Sequence, residues 1–123
     1  MASSDQLVTS IVKGIQEKKG EDITIIDLRK IPNAFTEYFI ICTGNSDTHL
    51  SSIADSIDEF VNKELQEKPW QSEGKTNREW VILDYSNVVV HLFRQDIRQR
   101  YNLENLWGDG NIINIKEGQE SFK

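Results

Sequence analysis

Cysteine, proline and histidine are scarce in this chain: 123 residues hold one Cys, two Pro and two His. The lone Cys42 excludes an internal disulfide and any multi-cysteine zinc site. His49 and His91 stand far apart, without a second ligand at helical spacing, so no metal-binding pattern is present. No apolar run approaches the roughly 20 residues that span a bilayer. The start, Met1 to Gln6, carries neither a basic-then-apolar signal nor an Arg-rich transit pattern. A reducing cytoplasm is therefore the expected setting. Positive charge is also in the minority, with 14 Lys+Arg against 20 Asp+Glu and a net charge of −6. Such a surface repels phosphate, which argues against nucleic acid as the main ligand and favours a basic partner.

What is present is a globular composition, 37% hydrophobic and 28% charged, in a chain the size of one domain. A chain of this length buries roughly two-thirds of its unfolded surface and needs no staple or metal to fold. Leu7, Val8, Ile11, Val12 and Ile15 recur on one face of a first helix. Ser3 and Gln6 fit a capping box at its start, with Lys18 and Lys19 in its last turn and Gly20 as its stop. Two strands follow, Ile23 to Leu28 and Tyr38 to Thr43. The second shows no alternation, as expected of a strand buried on both faces. Gly44-Asn45-Ser46-Asp47 then breaks the chain and caps a second helix striped by Leu50, Ile53, Ala54, Ile57, Phe60, Val61 and Leu65. An edge strand is expected around Trp70, with Pro69 at its start. Two more strands run from Glu79 to Tyr85 and from Val88 to Phe93. A last helix spans about Asp96 to Tyr101, with Leu103, Leu106 and Trp107 packing after it. From Gly108 onward Gly, Asn and polar residues dominate, and Asn111 to Lys123 reads as a frayed end that the fold does not need, unless Ile112, Ile113 and Ile115 add a short edge strand.

Ser86-Asn87 forms a two-residue hairpin loop, which sets the register of the flanking strands. Tyr85 then faces Val88, Leu83 faces Val90 and Val81 faces Leu92, an apolar face that belongs under the two amphipathic helices. The opposite face pairs Trp80 with Phe93, Ile82 with His91 and Asp84 with Val89. Periodicity alone favours covering of this second face by the last helix, through Ile97, Tyr101 and Trp107. Left uncovered, its mixture of aromatic anchors and polar groups is what a binding surface presents.

Chemistry-bearing constellations are few. Asp27 and Asp84 would be paired carboxylates if they met across the sheet; otherwise each is a strand residue bound to a backbone donor or an arginine. Thr43-Gly44-Asn45-Ser46 lacks the lysine and second glycine of a phosphate loop and reads as a helix cap. Cys42 reads as an inert core residue. Arg94, Arg98 and Arg100 form a small basic cluster, either a solvated helix face or one local contact to phosphate or an acidic loop. No cofactor is expected.

Four strings in order carry a more specific signal: Tyr38 to Ser46 (YFIICTGNS), Trp80 to Tyr85 (WVILDY), Val88 to Phe93 (VVVHLF) and Tyr101 to Trp107 (YNLENLW), with Glu73-Gly74 ahead of the hairpin. Together they resemble the ribosomal silencing factor family, also called Iojap-like proteins, over roughly residues 4 to 109. The resemblance implies a single α/β (α+β) domain over 1–109, with a mixed five-stranded sheet and flanking helices related to the nucleotidyltransferase superfold; it does not reach 110–123, which composition alone marks as a flexible tail. It implies binding to the large ribosomal subunit through its ribosomal protein fourteen. That contact blocks joining of the small subunit and represses translation when nutrients are scarce. It further implies a homodimer when free and, at most, a minor rRNA contact. The aromatic that the family places in the first hairpin strand falls on Trp80. The partner contact is therefore assigned to Trp80, Ile82 and His91, with Tyr85 bordering the turn and Arg98 and Tyr101 from the last helix. Where the family often has Gly-Asp at the hairpin turn, this chain has Ser86-Asn87, which leaves the turn type open. Two other readings are a nucleotidyltransferase-like enzyme, for which the closely spaced metal-binding carboxylates are missing, and a dimeric scaffold.

Overall fold

The computed structural model describes residues 3–74, 79–102, 105 and 110–115. The chain order is α1 (Ser4–Glu17), β1 (Glu21–Asp27), β2 (Tyr38–Gly44), α2 (Asp47–Leu65), β3 (Gln71–Glu73), β4 (Trp80–Asp84), β5 (Val88–Arg94), α3 (Gln95–Tyr101) and β6 (Asn111–Asn114). The strands form one sheet in the order β3-β4-β5-β2-β1-β6. Only β2 and β5 pair in parallel; every other neighbour is antiparallel. No helix among the described residues is long and apolar enough to cross a membrane.

Local signals account for most of these elements. The Ser3 hydroxyl accepts from the Gln6 amide while the Gln6 side chain accepts from the Ser3 amide, closing the capping box at the start of α1. At the other end the left-handed residue is Lys19, φ +58, and not Gly20. Gly20 is required for space instead, since a Cβ there would lie 2.4 Å from Ile15 Cγ2 and 2.6 Å from Cys42 Sγ. Ser46 caps α2, accepting from the His49 amide at 3.1 Å. The positive φ of the hairpin loop falls on Ser86, +75, while Asn87 is not among the positive-φ residues. The Asp84 carboxylate accepts from the Ser86 amide at 2.7 Å, which holds the strained residue in place.

Helices α1 and α2 lie together on one face of the sheet. Leu7, Ile11, Ile53 and Ile57 pack there with Val81, Leu83, Val90 and Leu92, as the hairpin pairing requires. The two helices approach closely at Gly14, where a Cβ would sit 2.9 Å from Ile57 Cα; the Ser56 hydroxyl donates to the Gly14 carbonyl across the contact. Strand β2 is buried along its whole length, as its unalternating sequence indicates.

The sheet has six strands where five were expected. Asn111–Asn114, part of the stretch read as a frayed end, pairs antiparallel with β1, and Ile113 and Ile115 pack against the helix-side core. Four residues flanked by asparagines carry too weak a local signal; the edge of β1 supplies the pairing groups that make them a strand. The packing expected of Leu103, Leu106 and Trp107 lies outside the described residues.

Candidate functional site

The second face of the sheet is built by strand register. Trp80 and Ile82 of β4, His91 and Phe93 of β5, and Phe39 and Ile41 of β2 alternate onto it. It is covered from two sides. Ile97 of α3 lies over one end, and Ile31 and Ala34 of the segment between β1 and β2 pack on the other. Phe93, Phe39 and His91 are consequently buried. The covering expected from α3 is therefore real but incomplete, and Trp80 and Ile82 stay half-buried on β4 beside an exposed Tyr101.

Ring contacts run along this face. Tyr101 sits 4.4 Å from Trp80 and Trp80 4.9 Å from Phe93, measured between ring centroids. His91 stacks parallel to Phe93 at 6.2 Å and meets Phe39 edge-on at 4.9 Å. Phe35, 67% exposed, continues the row by an edge contact with Phe39 at 5.4 Å. The Trp80 indole N–H donates to His91 Nδ1 at 3.0 Å. Burial disfavours the charged imidazole and brings the His91 pKa down to about 4, so the ring is neutral at pH 7. Carboxylates flank the half-buried pair: Glu73 lies opposite Ile82 on β3, and Asp84 follows two residues later on β4. An aromatic centre with an acidic rim suits a basic protein surface.

Two assigned residues do not join this group. Tyr85 is on the opposite face, buried under α2, where its hydroxyl donates to Asp58 at 3.5 Å and burial pushes its pKa up. The side-chain alternation that puts Trp80 and Ile82 on one face puts Tyr85 on the other. Arg98 turns away from Trp80 toward β1 and β2. Its guanidinium donates to the Asp22 carbonyl at 2.6 Å, to the Thr43 hydroxyl at 2.8 Å and to the Thr24 hydroxyl at 2.9 Å, along a 460 Å³ cleft. It ties α3 to the sheet. Ile82, His91, Trp80 and Tyr101 remain together.

The other constellations resolve as structural. Asp27 and Asp84 stand on strands separated by β5 and β2, roughly 14 Å at ordinary strand spacing, and do not form a pair. The Arg29 guanidinium donates to both oxygens of Asp27 and holds that carboxyl below its ordinary range. Arg94 pairs with Asp47 and Asp96. Cys42 is buried, and desolvation pushes its thiol up to about 12, which leaves it inert. Among the described residues no group of His, Cys, Asp and Glu is placed to hold a metal.

Sequence reasoning passed over Phe35, the Glu73 rim and the Trp80–His91 hydrogen bond; the first two depend on which loop and strand fold beside the hairpin. In the sequence Glu73-Gly74 signals no more than a dipeptide shared with the family. Gly74 has φ +83, and a Cβ there would come within 1.9 Å of the Trp80 carbonyl oxygen. Gly74→Ala is therefore expected to loosen the β3–β4 pairing at the site. Amide exchange at Gln71–Glu73 should accelerate, and unchanged protection would show that the turn absorbs the methyl.

A family model described as "Ribosomal silencing factor during starvation" matches residues 1–123. A ribosomal silencing factor RsfS from Bacillus subtilis is 40% identical over 103 residues, 83% of this chain and 85% of that protein. A crystal structure of a Chromobacterium violaceum protein superposes with a TM-score of 0.81 at 27% identity, covering 87% of this chain and 88% of that one. A second, from Bacillus halodurans, gives 0.72 at 32% identity, covering 83% and 93%.

Proposed function

This chain belongs to the ribosomal silencing factor family, and on that premise we propose that it docks on ribosomal protein fourteen of the large subunit through the Trp80 face. It is a translation regulator and not an enzyme, as membership in a family of ribosome-binding silencing factors implies. Docking there places the domain where the small subunit would join, so joining is blocked by occupancy and translation falls under starvation. The observation that carries this reading is the half-buried Trp80 at the centre of the face, with Ile82 and Tyr101 beside it and Glu73 and Asp84 at its rim. An acidic chain with such a face suits a basic ribosomal protein better than naked RNA. Arg94 and Arg98 are engaged inside the fold, and the exposed Arg100 supplies the minor contact to the rRNA backbone. The reading also includes a homodimer when free, a cytoplasmic setting and a nucleotidyltransferase-like ancestry for the sheet.

The test is Trp80→Ala. A desolvated aromatic anchor is worth about 2 kcal/mol or more, so co-sedimentation with large subunits should weaken roughly thirtyfold. Inhibition of subunit joining should fall with it, while the melting temperature stays close to wild type. Normal binding, or a collapse of thermal stability, would place the docking face elsewhere.

A further inference from the structure

His91 is an expensive residue for its position. It is 6% exposed, stacked on Phe93 and met edge-on by Phe39, and nothing in that packing calls for a polar ring. Because an indole N–H can only donate, Nδ1 must be unprotonated, so the proton of the neutral imidazole is on Nε2. That Nε2 is buried without a hydrogen-bond partner among the described residues. A buried donor left unpaired costs stability, whereas phenylalanine would keep the ring contacts and avoid the cost. What the imidazole adds over phenylalanine is an acceptor for Trp80. The two residues are diagonal neighbours on adjacent strands, since Trp80 lies opposite Phe93 and His91 opposite Ile82. The remaining ring contacts of Trp80, tilted by 30° against Phe93 and 46° against Tyr101, carry no directional bond and tolerate rotation of the indole about its broad second torsion.

We propose that His91 is a positioning residue: its Nδ1 fixes the indole of Trp80 in one orientation, so that the docking surface is organised before the partner arrives. The inference rests on Trp80 being the docking anchor. Fixing a side chain in advance removes an ordering cost from binding. In the His91→Phe variant the indole is free to turn, and affinity for the large subunit is expected to fall about tenfold.

The experiment uses the full chain labelled with ¹⁵N. Its three tryptophans give three indole resonances, and the Trp80 signal is identified by its loss in Trp80→Phe. In the wild type the Trp80 indole proton should exchange far more slowly than that of the exposed Trp70. In His91→Phe it should exchange faster and shift, binding should weaken about tenfold, and the melting temperature should be equal or higher. A purely structural role would move the melting temperature instead. The proposal is overturned if the wild-type indole exchanges as fast as Trp70, if His91→Phe binds normally, or if it melts far below wild type. Trp80→Ala separates the two ideas. Loss of binding there with normal binding by His91→Phe defeats only the positioning role, whereas normal binding by Trp80→Ala defeats the docking face and the positioning role with it.

Discussion

Cutting the chain after Gly110 is expected to cost about 4 kcal/mol of stability, the sum of two half-buried isoleucines and the hydrogen bonds of a lost strand. Ile113 and Ile115 leave the helix-side core, and β1 loses its β6 partner along Thr24 to Asp27, keeping only β2. The Ile115 amide no longer donates to the Ile23 carbonyl, nor the Thr24 hydroxyl to Asn114. Gly110 itself approaches β1 closely, since a Cβ there would lie 2.7 Å from Ile26 Cγ2. For a chain of this size such a loss lowers the melting temperature by on the order of 15 °C. The control is a cut after Ile115, which keeps β6 intact. Equal melting of the two truncations would mean that β6 contributes nothing, and the stretch would then be as dispensable as its composition suggests.

Acid is the second strong lever. His91 is neutral in the fold, with a pKa brought down by burial to about 4 from an ordinary 6.5. The unfolded chain therefore binds more protons between these values, and stability must fall as the pH drops through that window. Above about pH 6.5 the contribution is complete; near pH 4 about 3 kcal/mol of it is gone. Two carboxyls also have lowered pKa values, and they act at lower pH. Asp27, held down by the Arg29 hydrogen bond, and Glu64, held down by the Ser10 hydroxyl, lose their contributions only as the pH falls past the ordinary carboxylate range. The interval from 6.5 to 4.5 thus reports on His91. Urea unfolding across it should show a steep loss in the wild type and a flat response in His91→Phe. Parallel slopes in the two proteins would assign the acid sensitivity to another group. In the folded protein Nδ1 takes up a proton only near pH 4, and the Trp80 bond breaks there, below the interval over which stability falls.

The sequence by itself determined the elements whose signals are local. The stripe from Leu7 to Ile15 made α1, the capping residues Ser3 and Ser46 marked where α1 and α2 begin, and the unbroken apolar run Tyr38 to Cys42 announced a strand covered on both sides. The two-residue loop at Ser86-Asn87 dictated all five cross-strand pairs from Trp80–Phe93 to Asp84–Val89, because register follows from loop length. The order of four motifs was enough to identify the family. Tertiary structure decided whatever depended on a neighbour distant in the chain. Asn111–Asn114 is a strand because β1 offers it an edge, and Arg98 is a tie because Thr24 and Thr43 offer it acceptors. Lys19, not Gly20, takes the left-handed turn, and Gly20 is glycine because Ile15 and Cys42 leave no room for a side chain there. Trp80 remained half-exposed because what α3 lays against it is Tyr101, itself exposed, whereas Phe93, Phe39 and Ile97 are closed inside the face. Alternation along a strand assigns a side chain to a face, but only long-range packing decides what lies on that face and which donor meets which acceptor.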